Sequence, residues 1–160
     1  PQLDDLVLAA LDRVAGVRDE RGDVRGEEVL AVPAADDERA VAARANDSSI
    51  DLPVTLLVTT GTSGAAELFV AALDGNGRAD VVGERTLGRA GLQKLVQLPE
   101  NRGLWLTYAK YLTPKGDPIH GKGIEPDVRV EEPDVEFGTT APEKDVMLDT
   151  AVGHLRKKVA

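Results

Sequence analysis

The feature that most constrains the fold is a strand, a glycine-containing turn and a helix that follow one another directly within residues 54–74. Residues 54–60, VTLLVTT, form an apolar and largely β-branched run, which predicts a buried strand. Gly61 and Gly64 follow, and apolar residues then recur at helical spacing up to residue 73. Residues 79–82 predict a second buried strand. This strand–helix–strand core, with hairpin strands after it, indicates an α/β fold.

The remaining segments surround this core. Four of them have the apolar character of strands: residues 28–33, 92–98, 104–112 and 128–130. Residues 3–14 and 145–159 have the periodicity of amphipathic helices, and the second ends in basic residues that suit the helix dipole. Residues 34–51 are polar and irregular, so we expect a mobile excursion there, and the acidic residues 131–144 predict a linker. The 160 residues are expected to form a single domain.

Charge and composition exclude several classes of function. A net charge of -9 argues against a nucleic-acid partner, because phosphate binding needs a basic face. No apolar run is long enough to span a bilayer. The chain has no cysteine, which excludes disulfides, thiolate zinc sites and a cysteine nucleophile. His120 and His154 have no metal-binding partner at a suitable spacing, so we expect no metal, and His154 is expected to be a solvated cation near a helix end.

The turn after the first core strand is where chemistry would be located. Residues 58–68, VTTGTSGAAEL, pass from strand to turn to helix. Such a turn presents backbone N–H groups at a helix N-terminus, which favours an anion or a developing oxyanion. A nucleophile on the turn could attack a carbonyl group held there. The spacing alone leaves open the simpler interpretation that Gly61 and Gly64 only allow the chain to bend.

Four motifs in a fixed order extend this interpretation. They are VTTGTSGAAE at 58–67, VGERTLGRAGLQ at 82–93, LTYAKYLTP at 106–114 and GKGIEPD at 121–127. Together they resemble the carboxyl-terminal-processing, or tail-specific, serine peptidases, and the match is best over residues 53–130. The resemblance implies an α/β fold of the Clp-protease/crotonase-like kind, built from stacked β-β-α units, of which this chain is the latter part. It also implies proteolysis by a serine-type hydrolase.

The resemblance assigns roles to three positions. The family's nucleophilic serine lies three residues before a glutamate, and aligning that glutamate with Glu67 places the nucleophile at Gly64. The family's lysine base falls on Arg89, and its glutamine helper on Gln93. Glycine has no side chain, and a guanidinium group stays protonated, so it cannot act as a base. The resemblance therefore implies a peptidase fold whose Ser/Lys dyad is lost, which is a catalytically impaired domain that retains peptide binding or an assembly role.

Three alternatives remain open. Ser63 could be the nucleophile of an active endopeptidase if the turn is shifted by one residue, although Arg89 would still be unsuited as its base. Lys94 could replace the missing base only if the following strand slipped in register. The chain could also be a purely structural module of a larger assembly.

The resemblance further implies partners and a location. The expected partner is an extended peptide or the C-terminal segment of a protein, and no metal or organic cofactor is expected. A homo-oligomer or a parent chain with a PDZ-type module is also expected, in a periplasm or lumen. The family's Asn-Asn-Pro-Gly-Gly-type segment, which supplies part of the oxyanion hole, does not occur in these residues.

Overall fold

Two sheets and two helices form the described part of the molecule. The computed structural model describes the backbone of residues 28–34 and 37–43 and, with side chains, residues 52–131 and 144–159. The elements in chain order are β1 (Glu28–Ala34), β2 (Asp37–Ala43), β3 (Val54–Val58), α1 (Ala65–Gly75), β4 (Ala79–Gly83), β5 (Gly91–Leu98), β6 (Arg102–Lys110), β7 (Val128–Arg129) and α2 (Val146–Val159). This arrangement confirms the predicted α/β class.

The first sheet is parallel and has β4 at its centre. β3 pairs with one side of β4 and β7 with the other. α1 makes the crossover from β3 to β4 that parallel strands require. Because side chains alternate along a strand, Val81 faces the core beneath α1, whereas the Asp80 side chain reaches His154 on α2. Helices therefore cover both faces of this sheet, which explains why β3 and β4 have almost continuously apolar sequences.

The hydrophobic core lies between α1, the parallel sheet and the loops that follow β4 and β6. Its buried members are Val58, Leu68, Val70, Ala71, Ala72, Leu73, Ala79, Val81, Ala90, Tyr111, Ile119 and Ile124. Small and β-branched side chains fill most of it, as the low aromatic content requires. The core anchors both ends of the loop at residues 84–90, since Val81 precedes this loop and Ala90 closes it.

The second sheet is antiparallel and contains two hairpins, in the order β2-β1-β6-β5. The hairpins join where Ala34 lies opposite Ala109. β5 is an edge strand among the described strands of this sheet. Leu95 and Trp105 face each other across β5 and β6, and both are exposed, Trp105 to 67%. The β5–β6 hairpin therefore combines apolar side chains with an open strand edge.

Three predictions are corrected or left open by these observations. The irregular excursion predicted for residues 34–51 is wrong over Asp37–Ala43, because β2 pairs there with β1 along its full length. The run DERAVAA has little strand propensity of its own, so pairing with β1 decides its conformation. The helix predicted at 3–14 and residues 132–143 of the linker lie outside the described residues. Neither of the two described helices is long and apolar enough to cross a membrane.

Candidate active site

The candidate site begins where β3 turns into α1. The turn is closed by Thr59 and Thr62: the Thr62 amide donates to the Thr59 carbonyl at 2.9 Å, and the Thr59 amide donates to Thr62 Oγ1 at 3.0 Å. Gly64, which precedes α1, has φ 63° and ψ −126°, a conformation that an L side chain adopts only with strain. A Cβ atom at position 64 would have no heavy atom within 4 Å. The turn thus presents position 64 at an open point on the helix N-terminus, as a nucleophile elbow does.

A buried carboxylate lies directly behind this turn. Glu67 is in the first turn of α1 and is 0% exposed. Its Oε2 accepts hydrogen bonds from the backbone amides of Gly64 at 3.1 Å and Arg89 at 2.8 Å. Its Oε1 accepts hydrogen bonds from the Gly88 amide at 2.6 Å and from Thr86 Oγ1 at 2.5 Å. Four donors from two separate loops therefore converge on one carboxylate.

The loop at residues 84–90 is held against the turn by these bonds. The Gly64 and Arg89 amides donate to the same oxygen atom. The distance between their two nitrogen atoms therefore cannot exceed the sum of the two hydrogen-bond lengths. The Leu87 amide adds a bond to the Thr62 carbonyl at 2.9 Å. The Arg89 side chain itself is exposed. The two positions at which the resemblance locates the nucleophile and the base are therefore neighbours in space.

A third segment closes the site from the other side. Thr86 Oγ1 accepts a hydrogen bond from the Ile124 amide at 2.8 Å, and the Thr86 amide donates to the Ile124 carbonyl at 3.1 Å. Gly88 and Gly123 allow this approach, since a Cβ at Gly88 would lie 2.7 Å from the Gly123 nitrogen. Both glycines also have positive φ, 76° and 72°. The motif at 121–127 thus packs directly on the loop at 84–90.

The other predicted site residues lie on the turn before α1 and on β5. Gln93 is on β5 next to a register shift, and its Nε2 donates to Thr107 Oγ1 on β6 at 3.1 Å. Ser63 is half-buried on the turn. The Lys94 ammonium lies 5.1 Å from the centre of the Tyr108 ring, a cation–π contact on the hairpin. The structure gives the positions and contacts of these residues. The roles assigned to Gly64, Arg89, Gln93 and Ser63 stay predictions.

Sequence reasoning missed the central position of Glu67. It used this residue only to align the motif of the family. The structure instead shows a fully buried carboxylate bound by four donors. The spacing of Gly64 and Glu67 is that of a capping box and could have indicated the first of these bonds. No spacing rule reveals the other three, because their donors lie about 20 residues away in the sequence. Thr86, whose hydroxyl connects Glu67 to Ile124, was missed for the same reason.

His154 differs from its prediction as a solvated cation. Its Nε2 lies 2.9 Å from Asp80 Oδ2, and the Lys158 ammonium donates to both carboxylate oxygens of Asp80 at 2.8 Å. These contacts fasten α2 to β4 on the sheet face opposite α1. The hydrogen bond from Lys158 is the main cause that lowers the pKa of Asp80 from its ordinary value of 3.8. Within the described residues, no cluster of three His, Asp or Glu side chains could hold a metal ion.

Residues 11–130 match the sequence pattern of Peptidase family S41. The carboxyl-terminal-processing protease of Synechocystis sp. is 39% identical to this chain over 114 residues, which are 71% of this chain and 27% of that protein. The carboxy-terminal processing protease CtpA of Bacillus subtilis is 33% identical over 110 residues, which are 69% of this chain and 24% of that protein. The chain thus spans about a quarter of the length of these curated relatives.

Solved structures agree with these relatives. A photosystem II D1 C-terminal processing protease superposes with a TM-score of 0.62 at 30% identity, over 80% of this chain and 31% of that one. A structure from Parabacteroides merdae superposes with a TM-score of 0.70 over 95% of this chain and 47% of that one. At 18% identity this second similarity shows the fold alone.

Proposed function

This chain belongs to peptidase family S41, and from that premise we propose that it is a catalytically impaired C-terminal processing peptidase domain that binds extended peptide. The observation that carries the proposal is the junction at Glu67, where one carboxylate oxygen binds the amides of both Gly64 and Arg89. Position 64 lies on a turn with open space and without a side chain, and position 89 carries a guanidinium group. These two positions therefore supply neither an oxygen nucleophile nor a neutral base, which supports the proposed loss of catalysis.

The β5 edge supports the peptide-binding part of the proposal. β5 starts at Gly91, two residues after Arg89, and one of its edges is open among the described strands. An extended peptide can add to such an edge as a further strand through backbone hydrogen bonds. A peptide on β5 would pass close to Arg89 and the N-terminus of α1. From the family resemblance we also propose that the ligand is the C-terminal segment of a protein. We further propose a parent chain with a PDZ-type module or a homo-oligomer, in an extracytoplasmic location.

Hydrolysis of a fluorogenic peptide tests the loss of catalysis. We expect no measurable cleavage by the unchanged chain and a gain in the Gly64→Ser/Arg89→Lys double variant, with either single variant far below the double. Removing one member of such a pair typically costs several powers of ten in rate. The matched control is Gly77→Ser/Arg85→Lys, because Gly77 also has a positive φ and open space at its Cβ position, and Arg85 is an exposed arginine. Cleavage by the unchanged chain that Ser63→Ala abolishes would instead establish an active peptidase.

Calorimetric titration with the same peptide tests binding. The proposal expects saturable binding to the unchanged chain. It also expects binding to weaken when a proline replaces Val96 on β5, because proline interrupts the backbone hydrogen bonding of a strand. The exposed position 157 on α2 provides the control, in a Lys157→Ala variant whose binding should be unchanged. An absence of saturable binding would favour a purely structural module.

A further inference from the structure

Three segments that are far apart in the sequence meet at Glu67. The turn before α1 contributes the Gly64 amide, and the loop at 84–90 contributes Thr86, Gly88 and Arg89. The segment at 121–127 joins through the Ile124 amide, which donates to the Thr86 hydroxyl. No other described acid is both fully buried and bound to more than one loop. Three of the four sequence motifs, those at 58–67, 82–93 and 121–127, thus meet at one junction in the fold.

The junction requires a group that accepts hydrogen bonds on both of its oxygens. Three of the four donors to Glu67 are backbone N–H groups, which can only donate. A carboxylate accepts on both sides, whereas the amide of glutamine has one oxygen that accepts and one nitrogen that donates. In either orientation, a glutamine would therefore turn its NH₂ group toward two of the donors. Those donors would lose their acceptor within a buried site.

We propose that Glu67 is a positioning residue: its carboxylate sets the separation and orientation of residues 64 and 89, whichever side chains those two residues carry. Oε2 joins the two backbones directly, and Oε1 holds the same loop from its other end through Gly88 and Thr86. The side chains at 64 and 89 take no part in these bonds. The site can therefore keep its shape in a chain from which both reactive side chains are missing.

Amide hydrogen exchange in the complete chain tests this proposal through Glu67→Gln, which changes no volume. We expect exchange to accelerate more than about tenfold at the Gly64 and Arg89 amides or at the Gly88 amide, while the amides of β4 change much less. The control is Glu84→Gln, since Glu84 is another acid near the turn, with one backbone bond, from the Thr60 amide at 3.3 Å. A uniform acceleration across β4 and the junction would show a merely structural role and overturn the proposal.

A measurement on the unchanged protein decides the question if Glu67→Gln fails to fold. Hydrogen bonds transmit weak scalar couplings between the donor nitrogen and the acceptor carbon. We expect couplings from the Glu67 carboxylate carbon to the amide nitrogens of Gly64, Gly88 and Arg89. If the Gly64 and Arg89 amides do not both couple to this carbon, the proposed link between the two positions is wrong.

A kinetic test rests on the proposed function and separates positioning from folding. In the Gly64→Ser/Arg89→Lys chain, adding Glu67→Gln should lower kcat about 100-fold and change KM less than about threefold, because misplaced reacting groups lose rate rather than binding. A raised KM with unchanged kcat would contradict positioning. If the double variant shows no hydrolysis at all, the claim that two substitutions explain the loss of catalysis fails. The exchange and coupling measurements still decide the role of Glu67.

Discussion

Two carboxylates hold this domain together in opposite ways. Glu67 is fully buried between α1 and the loop at 84–90, and its donors are three backbone amides and one hydroxyl. The Asp80 side chain is 27% exposed on the other face of the sheet, and its partners are the side chains of His154 and Lys158. One region therefore relies on neutral and rigid donors, whereas the other relies on flexible, ionisable ones.

The difference shows why the backbone bonds at positions 64 and 89 do not depend on the side chains at these positions. A buried charge is tolerated only when hydrogen bonds replace its lost water, and Glu67 obtains three of its four bonds from backbone amides. Substitutions at 64 and 89 change side chains but leave these amides in place. The Asp80 contacts, in contrast, depend on the side chains themselves and are open to water and salt. The hydrogen bonds that join positions 64 and 89 through Glu67 are thus independent of the side chains at those two positions.

The largest expected effect comes from removing the buried carboxylate. Glu67→Ala leaves four donors without an acceptor in the interior, so we expect it to lower the free energy of unfolding by about 4 kcal/mol or more. Urea denaturation measures this loss, and Asp80→Ala is the comparison from the other region. A loss below about 2 kcal/mol would mean that water or a rearranged loop replaces the carboxylate, and the contrast between the two regions would not hold.

A second prediction concerns the close approach beside Glu67. In Gly88→Ala, the new Cβ would lie 2.7 Å from the Gly123 nitrogen at a backbone φ of 76°, so we expect a loss of about 2–4 kcal/mol in unfolding free energy. Gly116→Ala is the matched control, because Gly116 has φ 85° and open space around it, and only backbone strain of about 1 kcal/mol remains. Equal losses in the two variants would show that packing at the junction contributes little.

A third prediction concerns whether the turn at position 64 can accommodate a side chain. Both Gly64 and Gly77 have positive φ and an unobstructed Cβ position. We expect Gly64→Ser and Gly77→Ser each to lower the melting temperature modestly, in line with about 1 kcal/mol of backbone strain. Thermal denaturation followed by circular dichroism measures both. A much larger loss for Gly64→Ser would mean that the site no longer accommodates the side chain that the family places there.

The smallest effect is expected at Asp80. We expect Asp80→Asn to cost about 0.5–1 kcal/mol, and less at high salt, because the contacts are partly exposed. The Lys158 hydrogen bond lowers the pKa of Asp80 below 3.8, so its stabilising contribution is present above pH 3.8 and is lost as the pH falls through the lower pKa of the folded state. Unfolding free energies measured from pH 6 downward should converge for the two proteins. A constant difference at all pH values would show that the Asp80 charge has no role.

The sequence predicted most of the elements, and the exceptions have a physical cause. The strands and the helix within residues 54–83 followed from apolar periodicity, because burial on both faces leaves a strong pattern. β2 was missed because its residues are charged or small and become a strand only by pairing with β1. The positions 64 and 89 could be aligned with the family by motif. The bond from the Gly64 amide to Glu67 spans three residues, but the bonds from Thr86, Gly88 and Arg89 could not be deduced, since they link residues 19 to 22 positions apart.

By itself, the sequence determined the α/β class, the strand–turn–helix unit, the absence of cysteine chemistry, and the presence of glycine at position 64 and arginine at position 89. These properties depend on residue types and on spacings within one element, and both can be read directly from the sequence. Only the tertiary structure decided that Glu67 is buried and that it binds the backbone amides of both positions. The physical reason is that a hydrogen bond between distant loops leaves no periodicity in the sequence; it exists only once the core has folded beneath both loops.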